Sequence, residues 1–449
     1  MTHEHKPTVI VVGAGVAGLA AARCLARAGV GVIVLEKDSH VGGRVYTQVV
    51  DGFEIDAGAQ FIANFCPHTL RLIRELGLQE DLVRIPGAGA VLRAGRLYGI
   101  WPDLRLVFTG LISPLSKLTL LKPLGPLLRH WGELDLHAFH RAHRLDTRSI
   151  ADYARQELNR EILEYVIQPP LTGIFYLAPE QASQALIFLL IKASLGVRIF
   201  TLRHGLGRLS EAMAADLLVH RNAEAFQVTP NEAGGCTVRA HIDGEERSFS
   251  VDGVVCATPA ATVPDLFPNL SARQRSFFEA IRYSVNITAA IGTERRLPPA
   301  FYGLLFPRRE AGHLAIAAIQ SAKNPAQVPV GRDLVTLHSS DRASRELWEK
   351  DDDAIQDILR SDLRQAGPAY SLGEGLFCRT YRWRYAIPDF DVGHFKRIKR
   401  FADGEIETGR VVFAGDYLGG PYVEGAITSG LDAAQRLLQR LEARPNPPR

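Results

Sequence analysis

Thr8-Val9-Ile10-Val11-Val12-Gly13-Ala14-Gly15-Val16-Ala17-Gly18, followed downstream by Glu36, is the stretch that decides how this 449-residue chain folds. A run of β-branched residues leads straight into three glycines at Gly-x-Gly-x-x-Gly spacing. The Ala-rich stretch Leu19–Ala28 follows, and a second apolar run, Val32–Leu35, ends on the acid. Strand, tight turn, helix and return strand form the βαβ unit that holds a dinucleotide. Gly13 allows the turn, Gly15 lets the backbone approach a pyrophosphate, and Gly18 lets helix pack on strand. The phosphates then sit at the helix N-terminus, around Val16 and Ala17, where free N–H groups and the helix dipole favour negative charge. Glu36, with Lys37 beside it, lies where a carboxylate accepts hydrogen bonds from ribose hydroxyls. It would repel a 2′-phosphate, so NADP is disfavoured.

The residues after Glu36 separate FAD from NAD. His40-Val41-Gly42-Gly43-Arg44-Val45-Tyr46-Thr47 resembles the second glycine motif of the flavin-containing amine oxidase superfamily, which includes protoporphyrinogen oxidases and carotenoid desaturases. The resemblance implies that Gly42 and Gly43 run against the FAD and that Arg44 faces its pyrophosphate. A guanidinium suits that task because it binds phosphate oxygens through two parallel hydrogen bonds. Phe53-Glu54-Ile55-Asp56-Ala57-Gly58-Ala59-Gln60-Phe61 resembles the family's segment passing the isoalloxazine ring. Gly58 and Ala59 are small enough for close approach to a flat ring, with Gln60 next to them. Phe61 either lines the substrate side or fills core.

Near the C-terminus, Phe413-Ala414-Gly415-Asp416-Tyr417 and Tyr422-Val423-Glu424-Gly425-Ala426 precede an Ala/Leu-rich helix and resemble the family's closing FAD motif. The resemblance places Asp416 at the ribityl or pyrophosphate portion. It also sets Val423, Gly425 and Ala426 at the start of a helix aimed at the flavin pyrimidine edge. That edge gains negative charge on reduction, which a helix N-terminus stabilises. Ala225 occupies the position whose backbone faces the adenine end. Monoamine oxidases carry a flavin-attaching cysteine at a place that falls near Tyr385 here, and no cysteine is close, so noncovalent FAD is expected.

The fold expected is α/β, an FAD-binding Rossmann-like domain of the GR2 type with an inserted α+β substrate domain. The FAD-binding domain is assigned to residues 1–85, 215–275 and 400–449, and the substrate-binding domain, with a helical lid, to 86–214 and 276–399. A chain of this length exceeds one simple core. Hydrophobic content of 46% with 22% charged residues describes a globular protein, not a disordered one. A formal charge of +3 argues against general nucleic-acid binding. The five cysteines (Cys24, Cys66, Cys236, Cys256, Cys378) have no metal spacing, so no metal is expected, and their odd count points to a reducing, cytoplasmic setting. No targeting core is apparent, and no apolar run reaches the roughly 18 residues of a membrane span. The longest, Ala185–Ile191, ends at Lys192.

Absences narrow the reaction. Gly205-Leu206-Gly207-Arg208 and Gly87-Ala88-Gly89 do not complete a second nucleotide motif, and there is no Cys-x-x-Cys. Direct oxidation remains: a small-molecule substrate gives a hydride equivalent to the flavin, and oxygen or a quinone reoxidises it. Thr380–His394 resembles a region of protoporphyrinogen oxidase-like proteins, as do Gln168–Tyr176 and Pro179–Ser183. The leading expectation is desaturation of a largely apolar cyclic substrate. An amine or amino-acid oxidase is the alternative, and a flavin-binding protein without turnover is a third. Phe61, Tyr176, Trp383, Tyr385 and Tyr422 are the substrate-lining candidates. Amine oxidases sandwich the amine between two rings; Tyr422 matches one by its spacing, and the partner position falls near Ala386, where Tyr385 or Trp383 would have to substitute. His394 is read as holding backbone, and no catalytic acid or base emerges. Leu104–Trp131, rich in Leu and Pro with Lys117, Lys122 and Arg129, reads either as helices packed on the substrate domain or as an amphipathic lid touching a membrane. The basic residues between Arg379 and Arg400 read mainly as a solvated face.

Overall fold

The strand Thr8–Val12 forms at the centre of a five-stranded parallel sheet. The order is Leu218–His220, Gly31–Leu35, Thr8–Val12, Gly253–Cys256, Val411–Phe413. This is a computed structural model, which describes residues 6–86, 89–100, 108–231, 234–298, 300–407 and 409–442. Gly87 and Ala88, and residues 104–107 of the lid segment, lie outside the described residues. Val9, Ile10 and Val11 are fully buried, as a parallel strand covered on both faces requires. On one face lies the helix Val16–Arg27, gripped by the C-terminal helix Val423–Glu442. A Cβ on Gly430 would clash with the Ala17 carbonyl, so these helices touch backbone to backbone. The other face carries the antiparallel strands Ala223–Pro230, Cys236–Ile242 and Glu245–Val251.

The seven-stranded second sheet runs Phe377–Pro388, Tyr283–Thr293, Asp333–Ser339, Leu314–Ile319, Gly303–Leu305, Gly89–Arg93, Arg96–Ile100. Its pairs are antiparallel except Gly303–Leu305 with Gly89–Arg93. Every residue of Tyr283–Thr293 is buried. Because side chains alternate along a strand, Ile287, Ala289, Ile291, Val335 and Leu337 pack on one side with the helix Asp352–Leu363. Asn286, Thr288, Thr336 and His338 belong to the opposite face, where Ala290 and Leu334 meet the hairpin Thr47–Val50/Phe53–Asp56.

One stretch departs from the expected division. The sequence division puts residues 199–214 on the substrate side, but Ile199–Leu202 pairs with Ile62–Ala63 and Leu82–Arg84. Leu206, Leu209 and Met213 then join the core around the first βαβ unit. The glycines of Gly205-Leu206-Gly207-Arg208 serve this packing. A Cβ on either would clash with Thr47, and the Leu206 and Gly207 N–H groups donate to Asp56 Oδ1 and Thr47 Oγ1.

Candidate active site

The first glycine loop is shaped to take a pyrophosphate. Gly13 has a left-handed φ of 99°, and a Cβ on Gly18 would strike the Gly13 carbonyl. Gly15, the residue before the helix, offers no capping side chain, and the first turn contains no acid, so the leading N–H groups are left for an anion. Nothing lies within 4 Å of where a Gly15 Cβ would stand. On the C-terminal helix the Thr428 hydroxyl is buried without a hydrogen-bond partner. Bare N–H groups and open space fit the phosphates of FAD.

Glu36 is buried at the end of its strand, accepting the Ala14 N–H at 2.6 Å and the Asp38 N–H at 3.0 Å. Burial raises its pKa while those two N–H groups lower it, with burial prevailing. Each carboxylate oxygen has a further lone pair for a ribose hydroxyl. Lys37 beside it is exposed. Ala225 lies on the strand that leaves this corner, at a bulge opposite Ala240. Arg44 and Asp416, both expected at the phosphates, are joined to each other, Nη1 to Oδ2 at 2.7 Å and Nη2 to Oδ1 at 3.1 Å. Arg44 also donates to the Ala386 carbonyl at 2.8 Å. A side chain on Gly43 would meet only the Gly15 Cα at 3.6 Å, so the two glycine loops face one another.

Gly58 is locked against the Arg44 backbone, where no Cβ would fit. Ala59 donates its N–H to the Arg44 carbonyl at 2.8 Å. Above this segment Trp383 Nε1 donates to the Ala57 carbonyl at 2.9 Å, clamping the second sheet over it. Gln60 accepts from Lys323 Nζ at 2.8 Å, and Lys323 stands 3.5 Å from Asp56 Oδ2. Both members of that ion pair are buried. Asp56 also accepts from Thr47, Leu206 and the Gln327 amide. Burial pushes the Lys323 pKa down, against the attraction of Asp56.

The face of the second sheet turned toward this segment is polar. Thr288 Oγ1 donates to Asn286 Oδ1 at 2.7 Å and lies 3.0 Å from His338 Nδ1. Tyr176 OH is also 3.0 Å from that nitrogen, and Thr336 Oγ1 is 3.1 Å from His338 Nε2. Burial and the nearby Lys323 charge push the His338 pKa down to about 3, so the ring is neutral.

Of the aromatic candidates, Tyr176 and Trp383 reach this face. Tyr385 does not: its ring packs on Tyr283 with centroids 5.5 Å apart, in the core beneath the first sheet. A bulge in the strand pairing between Ser284 and Asn286 sends Tyr385 and Trp383 to different surroundings. Tyr422 donates to the Leu136 carbonyl at 2.6 Å, its ring against Phe65 and Phe139. Phe61 is half-buried. His394 opens a helix and its Nε2 donates to the Tyr417 carbonyl at 2.8 Å, the backbone-holding role expected of it.

Lys323, His338, Asn286 and Thr288 were not singled out from sequence. The available signal was the alternation Val285-Asn286-Ile287-Thr288-Ala289 and Val335-Thr336-Leu337-His338, polar residues spaced by two inside apolar strands. Glu424 stood inside the quoted closing motif but drew no role. It is fully buried and accepts the His68 and Thr69 N–H groups and the Thr69 hydroxyl, capping the helix Pro67–Glu75. Of the basic residues after Arg379, Arg382 pairs with Asp352, Arg397 with Asp391, Lys399 with Asp403 and Arg400 with Glu405.

Residues 16–438 match the family described as flavin containing amine oxidoreductase. The chain belongs to that family. Family members are flavin-dependent oxidoreductases, and FAD is the cofactor. Protoporphyrinogen oxidase 2, chloroplastic/mitochondrial, of Arabidopsis thaliana is 23% identical over 489 residues, spanning 97% of this chain and 94% of the relative. Putrescine oxidase of Kocuria rosea is 34% identical over 226 residues, 46% of either chain. The solved structure of cyclohexylamine oxidase from Brevibacterium oxydans IH-35A covers 98% of this chain and 100% of its own with a TM-score of 0.77 at 18% identity, a likeness of fold.

Proposed function

We propose that this flavin-dependent oxidoreductase takes a hydride equivalent from a largely apolar cyclic substrate, in a desaturation of the protoporphyrinogen oxidase kind. The observation that carries this over amine oxidation is the fate of the two rings an amine cage needs. Tyr422 is tied to Leu136, and Tyr385 is turned to Tyr283. Trp383 instead clamps a broad sheet face over Ala57. The FAD, when bound, supplies the two-electron acceptor.

The chain's own part is binding, orientation and exclusion of water. The N-terminus of Val16–Arg27 holds the pyrophosphate with Arg44, and Asp416 stands at the ribityl or pyrophosphate portion, holding the Arg44 fork in place. Glu36 holds the ribose, Gly58 and Ala59 face the ring, and Val423, Gly425 and Ala426 present N–H groups to its pyrimidine edge. The cofactor is held without a covalent bond, and oxygen or a quinone takes the electrons onward. The cofactor half comprises residues 1–85, 215–275 and 400–449, together with 199–214.

Anaerobic mixing of the yellow holoprotein with reduced tetrapyrroles and with amines tests this reading. Bleaching of the flavin by porphyrinogens supports it. The partial likeness to putrescine oxidase favours amine oxidation as a second reading, and hydrogen peroxide release with amines but not porphyrinogens would replace the first by the second.

The lid is proposed to touch a membrane surface from the cytoplasmic side. Phe108, Leu115, Leu118, Leu121 and Leu128 are each more than 60% exposed, with Lys117, Lys122 and Arg129 among them. Among the described residues no helix is long and apolar enough to cross a membrane. Co-sedimentation with anionic vesicles, lost in Leu118→Glu/Leu121→Glu, is the expected result. Equal sedimentation of that variant would remove the proposal.

A further inference from the structure

We propose that Tyr176, oriented by His338, donates a hydrogen bond to an acceptor oxygen of the substrate, a carbonyl or carboxylate, and that the site rejects ammonium groups. The proposal rests on reading the polar sheet face as the substrate side.

Proton counting leads to it. The cluster contains three hydroxyls, Tyr176, Thr288 and Thr336, and one neutral imidazole, hence four protons. The Thr288 proton goes to Asn286 Oδ1. His338 Nδ1 therefore meets Thr288 Oγ1, 3.0 Å away, only by carrying the ring proton itself. The Thr336 hydroxyl then donates to Nε2. With Nδ1–H as donor, the Tyr176 oxygen can only accept from the ring, and its own proton is left to donate elsewhere. In the opposite tautomer Nδ1 accepts from Tyr176, and the Nδ1 contact with Thr288 has no proton. Only the tautomer with its proton on Nδ1, shared as a three-centre bond between Thr288 Oγ1 and the Tyr176 oxygen, supplies a proton to every contact, and it is the one that frees the Tyr176 hydroxyl.

Tyr176 is also held in a costly backbone conformation. Its φ is 54°, left-handed for a residue with a Cβ, and such a conformation costs about 1–3 kcal/mol and persists where the surroundings enforce it. The ring is stacked on His338 at 6.2 Å between centroids with planes 23° apart. Just before it, Gly173 lies where a Cβ would come 2.9 Å from Leu305 and 3.1 Å from Ile316, so the turn is pressed onto the second sheet.

Charge decides the class of ligand. Asn286, Thr288, Thr336, His338, Tyr176 and Trp383 include no carboxylate. Asp56, the buried acid paired with Lys323, is engaged by Lys323, Gln327, Thr47 and the Leu206 N–H. The buried Lys323 ammonium has three N–H groups, and Gln60 and Asp56 take two of them. Gln320, one helical turn earlier, is fully buried with neither amide atom partnered. A second ammonium here would meet repulsion from Lys323 with no free counter-charge. An acceptor oxygen would meet donors.

The test uses the FAD-loaded protein, with benzoate and benzylammonium as probes, read from the flavin visible spectrum and needing no turnover. Benzoate is expected to perturb the spectrum saturably and benzylammonium to leave it unchanged at equal concentration. Tyr176→Phe should weaken benzoate at least tenfold without altering FAD affinity. Thr288→Val, which removes the acceptor for Nδ1–H and lets Tyr176 donate to His338, should weaken benzoate severalfold while leaving Tyr176 in place. Tighter binding of benzylammonium, no binding of benzoate, or unchanged benzoate affinity in both variants would overturn the proposal. A protein that binds benzoate through Tyr176 yet is not reduced by porphyrinogens keeps this inference and loses only the desaturation reading.

Discussion

Arg44 and Asp416, 372 positions apart in the chain, meet in a two-pronged ion pair with N–O distances of 2.7 and 3.1 Å. The pair links the second glycine loop to the closing motif, and Arg44 extends the link to the Ala386 carbonyl. The fork geometry is specific to a guanidinium.

Arg44→Lys is therefore not conservative. It should keep the charge, lose one prong, and release FAD more readily. A charge-assisted hydrogen bond contributes about 1.5–3 kcal/mol, and the partial exposure of Arg44 puts the loss at the lower end. Flavin retained after gel filtration is the measurement, and full occupancy of the variant would refute it.

Two glycines of the first motif should answer alanine differently. Gly15 has an ordinary φ of −66° and open space beyond it, so Gly15→Ala should leave the thermal midpoint of the apoprotein unchanged while weakening FAD more than tenfold. At Gly18 a Cβ meets the Gly13 carbonyl, so Gly18→Ala should destabilise the apoprotein itself. Equal apoprotein midpoints for the two variants would contradict this.

Glu424→Gln retains one acceptor oxygen but exchanges the other for an amide that faces donors. Loss of charge-assisted bonds to His68, Thr69 N–H and the Thr69 hydroxyl should cost about 2–3 kcal/mol, read as a lower urea midpoint. The carboxylate is fully buried, so solvent cannot compensate.

Stability should fall with acid through the buried imidazoles. Burial, reinforced by Arg397, pushes the His394 pKa down to about 3, and His338 is held equally low. The unfolded chain takes up protons at both below about pH 6.5, whereas the folded chain does not until about pH 3. Their contribution is present above 6.5 and lost as pH falls through that window, by about 1.4 kcal/mol per unit for each group. Asp389 works in the opposite sense: burial, then Asp341, pushes it up to about 6, so it favours folding at lower pH and loses that contribution as pH rises through 6. His394→Gln should flatten the drop in urea midpoint between pH 7 and 5, and an unchanged slope would contradict the assignment.

Flavin attachment has its own check. Acid precipitation of the holoprotein should leave the yellow colour in the supernatant, because Trp383, Arg384, Tyr385 and Ala386 contain no thiol to bond it. Colour in the pellet would refute noncovalent binding.

The cofactor fold was legible in residues 8–36 and again in 413–426 because glycine requirements, helix starts and strand composition act over a few neighbouring residues. The sequence by itself determined the strand, glycine turn, helix and return strand of residues 8–36, a βαβ unit of the dinucleotide-binding kind, and resemblance pointed to FAD. Tertiary structure alone decided that Arg44 grips Asp416, that residues 199–214 pack with the dinucleotide half, and that Tyr385 leaves Trp383's side of the sheet. It also gathered Tyr176, Thr288 and His338, up to 162 positions apart, onto one buried face. The physical reason is range: a turn or helix cap is specified by its immediate neighbours, whereas a buried polar cluster exists only once distant strands align and exclude water.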